Sequence, residues 1–179
     1  LVNTEMVENL DFYSNGFSAK YGNRLSSFGN ITYRSGNREQ IEGNFNLGMG
    51  GAGGLIEGPI GSNTTYIASY RKSYLDLIAD AINAGGMPSY DDFQGKLEYR
   101  PDLYNTYTLL TVNGNSLYDR DYEEAREIGE SEYGELENKQ NTLGINYKHI
   151  WNKLAYSNLS LSLSTSEPRC WISSPNTAR

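Results

Sequence analysis

The chain has 179 residues, and its 22 acidic and 15 basic side chains give a net charge of −7, a length that corresponds to roughly one domain. The low pI of 4.8 argues against a nucleic-acid binder, which needs clustered Lys and Arg, and the single Cys and single His argue against an internal disulfide or a His-rich metal site. No apolar run approaches the roughly 18 residues that a membrane-spanning helix needs. Aromatic residues make up 12% of the chain and Gly occurs 19 times, which favours a β-rich, turn-rich protein.

The first third of the chain predicts two short strands. Leu10 and Phe12 alternate with polar neighbours, a compact turn follows over 16–22, and a second strand is expected over 31–34. Both strands are shorter than the 9–11 residues or so that a bilayer-spanning strand requires. We therefore expect this region to be the end of a small α+β domain.

The rest of the chain alternates between apolar and polar residues with a period of two, which is the pattern of strands with two unlike faces. In the clearest strand, Phe93, Leu97 and Tyr99 alternate with Lys96 and Glu98. We predict seven strands, near 41–47, 52–60, 64–74, 93–99, 106–115, 143–151 and 159–163. The facing of the second is ambiguous, and in the fifth the apolar face is expected to carry Leu110 and Val112.

The connections alternate in length. Tight turns are expected at 61–63, 101–104 and 152–153, and long loops at 75–91 and 119–138. The first loop has the pattern of a small amphipathic helix, and the second falls in a block, Asp119 to Lys139, that holds nine acidic residues and should be solvated. Because successive strands of a meander run in opposite directions, the long loops fall on one side, which is typical of an outer-membrane β-barrel.

A soluble β-sandwich also alternates apolar and polar residues, so this alternative stays open. A strand face as polar as Gln94, Lys96, Glu98 and Arg100 favours a wet barrel lumen over a protein core. Aromatic residues near strand ends suit the interface of a membrane; they are Tyr99, Tyr107, Tyr147 and Trp151.

The sequence contains partial motifs for cofactor and metal binding, and each lacks a feature that its chemistry requires. Gly48–Gly53 has the letters of a dinucleotide fingerprint, but Pro59 and the intervening glycines exclude the helix that the motif requires. Asp119 and Asp121 begin a calcium-loop pattern that lacks its essential glycine. His149 is expected at a membrane interface. We therefore predict no enzyme, no cofactor and no defined metal site.

Several segments, taken in order, resemble TonB-dependent outer-membrane receptors of the Bacteroidetes type. Val7–Tyr13, the glycine turn with Tyr21-Gly22, and Asn30–Arg34 are similar to the end of the plug domain, and Gly53–Ile60 with Ser69–Asp76 is similar to the first barrel hairpins. The resemblance implies that residues 1–37 end the plug and that 38–166 form the first barrel strands. Residues 167–179 contain two prolines and no alternation, so we expect an irregular tail there. Since plugged barrels have about 22 strands, it also implies a part of a longer receptor.

The resemblance implies uptake of a scarce solute (a metal chelate, cobalamin or an oligosaccharide) across the bacterial outer membrane. Its expected partners are membrane lipid, the solute, the TonB energy-coupling complex through a plug segment outside this chain, and in some cases a surface lipoprotein. Possible ligand contacts in the extracellular loops are Tyr74, Tyr90, Tyr118, Tyr122 and Tyr133. Possible lumen-facing or plug-contacting residues are Arg71, Lys96, Glu98, Arg100 and Lys148. The alternative is a soluble or secreted binding module, such as a glycan-binding sandwich.

Overall fold

The computed structural model describes residues 2–14, 27–75, 88–120, 122–127 and 133–173. Within these ranges the protein is mainly β, which confirms the predicted fold class at this level. A 3-10 turn at Thr4–Met6 precedes β1 (Val7–Ser14), β2 (Ser27–Tyr33), β3 (Glu42–Gly48), β4 (Gly51–Ile60), β5 (Thr64–Ser73), β6 (Ser89–Tyr99), β7 (Asn105–Arg120), α1 (Tyr122–Glu127), β8 (Tyr133–Asn152) and β9 (Ala155–Ser173). No helix among the described residues is long and apolar enough to cross a membrane.

The strands form two antiparallel sheets. β1 pairs with β2, and β3 to β9 form a seven-stranded meander in which each strand pairs with its neighbours in the chain. All seven strands predicted from the alternation are present in this order. The turn between β4 and β5 contains Gly61 at φ 67°, a left-handed conformation that glycine adopts without the steric cost of a side chain.

The two faces of the meander differ in character. Residues directly opposite each other in register share a face, because side chains alternate along every strand. The apolar face carries Phe45, Ile56, Tyr70, Phe93, Leu97, Leu109, Ile145 and Leu161. The polar face carries Glu57, Ser69, Arg71, Asp92, Gln94, Lys96 and Glu98.

In β4 to β6 the polar face is more buried than the apolar face. On the polar face Gln94 is 0% and Asp92 1% exposed, whereas on the apolar face Phe45 and Leu161 are both 73% exposed. The polar face of β4 to β6 is buried by residues 2–14 and 27–38, which we call the N-terminal unit. No described residue covers the apolar face of β6 to β9.

The buried hydrophobic core is small and lies between the N-terminal unit and the polar face. Met6, Leu55 and Ile67 are its buried members, and Tyr33 packs against them. Leu55 resolves the ambiguous facing of β4, since it points with Glu57 toward the N-terminal unit. The core therefore fastens the unit to the sheet, while the larger apolar surface stays exposed.

The acidic block is less of a loop than the sequence predicts. β7 and β8 remain paired up to Arg120 and Gly134, so Asp119 lies opposite Glu135 in the sheet, and residues 119–120 and 133–138 of the predicted loop 119–138 belong to strands. Cations compensate part of this charge, since Lys139 lies 2.7 Å and Arg169 3.6 Å from the Glu137 carboxylate. Exposed strand faces tolerate such charges, which a rule based on charge density does not anticipate.

Two further expectations differ from the structure. The predicted irregular tail is in β9 up to Ser173, where Glu167 lies opposite Lys139 in the same ladder. Leu110 and Val112 lie on the polar face, opposite Lys96 and Gln94, because the parity of β7 is set by Tyr107 and Leu109 on the apolar face. The glycine turn at 16–22 and most of the amphipathic helix in the first connection lie outside the described residues.

Candidate functional site

The strongest contact between the N-terminal unit and the sheet is an ion pair. Arg34 follows β2 directly, and its Nη1 and Nη2 donate to Glu57 Oε2 and Oε1 at 2.6 Å each. The backbone N–H of Asn37 also donates to Glu57 Oε2, at 2.9 Å. The hydrogen bond to Glu57 raises the pKa of the Arg34 guanidinium above its ordinary value. A bidentate pair fixes both position and orientation, so these residues hold the unit in one register on β4.

A second anchor centres on Glu98 of β6, which is 5% exposed. Ser35 Oγ donates to Glu98 Oε2 at 2.8 Å, and Arg38 and Arg100 lie 3.2 and 2.7 Å from Oε1. Lys96 Nζ lies 3.8 Å from the same carboxylate and donates to the backbone carbonyl of Tyr33 at 2.6 Å. Three predicted lumen-facing residues, Lys96, Glu98 and Arg100, therefore come together here.

Close backbone approach accompanies these charged contacts. A Cβ built on Gly36 would lie 2.0 Å from the carbonyl oxygen of Tyr66 on β5. Only glycine permits this separation, because a side chain at residue 36 would push residues 34–38, which we call the linker, away from the sheet. Burial raises the pKa of the neighbouring Tyr33 hydroxyl, which has the polar face on one side and the small core on the other.

The start of the N-terminal unit adds weaker contacts. The backbone N–H of Asn3 donates to Gln94 Oε1 at 3.3 Å, and Ser69 Oγ donates to Met6 Sδ at 3.1 Å. The backbone N–H of Arg34 donates to the backbone carbonyl of Met6 at 2.9 Å, which joins the two ends of the unit. The polar face of three strands is thus occupied by protein groups.

A polar pocket of about 350 Å³ lies beside these contacts, at the end of the sheet where the two long connections leave. Arg71 lines it and is held by Asp92, with its Nη2 2.8 Å from Oδ2, while Gln94 Nε2 donates to Asp92 Oδ1 at 2.9 Å. Tyr90 lines the pocket with its aromatic ring, and Glu5 lines it with a carboxylate. The remaining lining residues are Asn3, Thr4, Asn46, Gly50, Gly51, Ala52 and Lys72.

The five predicted ligand-contact tyrosines do not form one cluster. Tyr90 lines the polar pocket, whereas the Tyr74 hydroxyl donates to the Gly48 carbonyl. Tyr122 and Tyr133 contact each other edge to face at 5.3 Å between ring centroids, and the Arg120 guanidinium lies over the Tyr118 ring at 5.3 Å. All five lie at the long-connection end of the sheet, and of these Tyr90 lines the polar pocket, together with the predicted lumen-facing residue Arg71.

Lys148 does not join the anchors either. It lies on β8, and its ammonium group sits over the Tyr156 ring at 5.4 Å from the centroid. The residues that sequence reasoning missed are Arg34, Glu57 and Asp92. The available signal was a carboxylate in β4, a strand otherwise made of small and apolar residues, because such a buried charge requires a partner.

The opposite end of the sheet carries a row of rings on the apolar face. Tyr99, Tyr107 and Tyr147 are stacked across three strands with centroid distances of 6.0 and 4.7 Å. His149 continues the row, with its ring 4.3 Å from that of Trp151, and its Nδ1 lies 2.8 Å from Asn105 Oδ1. His149 thus lies beside Trp151 on the apolar face, and its expected place at a membrane interface stays a prediction.

No group of three or more His, Cys, Asp or Glu side chains that could hold a metal occurs among the described residues. The described residues present three surface features: a charged interface, a polar pocket and an exposed apolar face. Comparison with known proteins found no family model that matches the chain, no matching curated protein and no matching solved structure.

Proposed function

We propose that this chain forms part of the wall of an outer-membrane β-barrel, with the N-terminal unit as part of the plug inside it. The observation that carries the proposal is the inverted polarity of the meander. The large side chains of its apolar face are exposed among the described residues, while carboxylates and an amide of β4 to β6 are buried against the N-terminal unit. Lipid outside and a plug inside would satisfy both faces, since barrel strands alternate in this way.

Water would be a poor environment for the apolar face. Monomeric soluble proteins rarely expose contiguous apolar patches of more than a few hundred Å², and here the patch extends over β6 to β9. The row of rings from Tyr99 to Trp151 crosses one end of this face, where an aromatic belt at a membrane interface would lie. The tight turns next to this row would then face the periplasm.

The proposed transport function is supported by the resemblance described above and by the N-terminal unit lying on the polar face, where a plug would lie. The receptor would bind a scarce solute (a metal chelate, cobalamin or an oligosaccharide) and pass it inward with energy supplied by TonB in the inner membrane. The polar pocket with Arg71 and Tyr90 lies at the end of the sheet proposed to face the exterior, so it would meet the solute. No covalent chemistry is part of this proposal.

Trypsin accessibility on intact cells tests the proposed orientation. Arg126 lies in the second long connection, and Lys153 lies in the tight turn between β8 and β9. We expect cleavage after Arg126 in intact cells and cleavage after Lys153 only once the outer membrane is opened. Arg126→Gln serves as the control, because it should abolish the first cut and leave the second unchanged.

The alternative is a soluble or secreted binding module, whose apolar faces would have to meet in a core. It predicts a chain that stays monomeric without detergent and is cut at both sites under the same conditions. Cleavage after Lys153 in intact cells, or recovery of the protein in the soluble fraction, would therefore contradict the receptor proposal. Protection of both sites until lysis would contradict the outward orientation of the long connections.

A further inference from the structure

A groove of about 550 Å³ interrupts the apolar face along β4. Its floor contains Ala52 and Gly54, where side chains are small or missing. Its walls include Phe45 on β3, Tyr70 on β5 and Phe93 on β6. Because Gly54 lies directly opposite both Phe45 and Tyr70 in register, the missing side chain leaves a slot between two rings.

The groove ends at a cation. Lys72 lines it next to Ala52, its cross-strand neighbour, at the level where the outward face changes from apolar to charged. Asp91 lies opposite Lys72 in register, yet the Lys72 ammonium group forms no ion pair or hydrogen bond with any described residue. Lys139 lies at the same level on β8 but pairs with Glu137 at 2.7 Å.

We propose that this groove binds one acyl chain of a phosphorylated membrane lipid and that Lys72 binds the phosphate. The inference rests on the proposed function, which puts the apolar face in lipid. An extended acyl chain is narrow enough for a slot one side chain wide, whereas a helix is about 10 Å across. Lys72, which pairs with no described residue, lies at the end of the slot and complements a phosphate at headgroup depth.

Retention of such a lipid has a physical basis. A chain on a smooth barrel surface is contacted from one side, but a chain in the groove is contacted by its floor and by the rings on both walls. Dispersion contacts are individually small and add up over many atoms. The phosphate adds a charge interaction that strengthens at the edge of the apolar region, where less water screens it.

Two substitutions test the groove. Gly54→Leu fills the slot, and the backbone tolerates it because a Cβ at residue 54 would lie 3.8 Å from the nearest atom, the Asn44 carbonyl oxygen. Lys72→Gln removes the cation and keeps the side chain. The matched controls are Thr111→Leu, which adds the same apolar group elsewhere on the face, and Lys139→Gln, which removes a cation at the same level.

The measurement is native mass spectrometry of the full chain released from detergent micelles that contain phosphatidylglycerol or a diacylglycerol with identical acyl chains. We expect the wild type and both controls to retain one phosphatidylglycerol that Gly54→Leu loses. Lys72→Gln should weaken phosphatidylglycerol binding about tenfold and leave diacylglycerol binding unchanged. Ala52→Leu fills the other end of the groove and gives an independent reading if Gly54→Leu does not fold.

Equal lipid retention in all variants would overturn the inference. A Gly54→Leu variant that only loses a dimer would also overturn it, because the groove would then bind a second copy of this chain and not a lipid. Vesicle partitioning separates the two proposals. If every variant enters vesicles but retention is the same, only the groove assignment fails. If the wild type does not enter vesicles, the proposed function fails with it.

Discussion

Loss of the Arg34–Glu57 ion pair should loosen the N-terminal unit from the sheet. The perturbation is Glu57→Gln, which keeps the shape of the side chain and removes its charge. Breaking a buried ion pair costs about 3–5 kcal/mol, and an exposed one contributes about 0.2–1 kcal/mol. The Glu57 side chain is 8% and that of Arg34 33% exposed, so we place the loss between these limits, at about 2 kcal/mol.

Hydrogen exchange at the Arg34 amide reports this loss directly. That N–H donates to the Met6 carbonyl at 2.9 Å, a bond that must open when the unit leaves the sheet. Since 1.4 kcal/mol corresponds to a factor of ten, Glu57→Gln should speed exchange at this amide by roughly 30-fold. Slowly exchanging amides in the middle of β7 and β8 should change little, because the perturbation is local.

The control is Arg38→Gln, which removes a longer ion pair to Glu98 at 3.2 Å from an arginine whose side chain is 54% exposed. We expect it to speed exchange at the Arg34 amide by about fivefold or less. The reasoning would be refuted if Glu57→Gln changed exchange by less than twofold, or if Arg38→Gln matched it. Either result would mean that the small core around Met6, and not the bidentate pair, holds the unit in place.

Three other expectations concern backbone contacts and a turn. Gly134→Ala should lower the melting temperature, since φ is 146° there and a Cβ would lie 1.8 Å from a backbone oxygen of β9, whereas Gly144→Ala, with no atom closer than 4.0 Å, should melt nearly as wild type. The pKa of Asp102 lies below its ordinary 3.8, chiefly because the Asn105 side chain donates a hydrogen bond to its carboxylate and, to a smaller extent, because the backbone N–H of Tyr104 does so. The ionised Asp102 carboxylate therefore stabilises the fold above pH 3.8, and this stabilisation is lost as the pH falls through the lowered pKa. The difference in melting temperature between wild type and Asp102→Ala should therefore shrink on acidification. A difference that does not depend on pH would contradict the assignment. Gly36→Ala should free the linker from the facing carbonyl on β5, measured as faster proteolysis within residues 2–38; unchanged proteolysis would mean that the linker can shift without undocking the unit.

The strands and their order could be predicted from the sequence because a two-residue period is a local signal. Phe93, Leu97 and Tyr99 face away from Lys96 and Glu98 in the structure as in the alternation. β4 gave no clear period, since its many small residues carry almost no information about facing. The face on which the β4 side chains lie depends on the pairing of Glu57 with Arg34. Arg34 is distant in sequence and contributes only after the chain folds back.

The candidate site shows the same division. Lys96 and Glu98 could be assigned to the polar face by parity alone, but their partners in the N-terminal unit could not. The ends of β7, β8 and β9 were predicted too short for another reason. A local charge rule treats Glu135 and Glu137 as solvated loop residues, whereas pairing with β7 and β9 keeps them in the ladder.

The order of contacts along the N-terminal unit determines how it responds to a pulling force. The hydrogen bonds of Asn3 and Met6 near its beginning are weak and Met6 is held mainly by the small core, while the charged contacts of Arg34 and Arg38 lie just before β3, where the unit joins the sheet. A force applied ahead of residue 2 would break these contacts one after another, as in peeling, which needs less force than shearing them together. The charged linker would yield last and act as a pivot, so the unit would swing away from the sheet while it remains tethered to it.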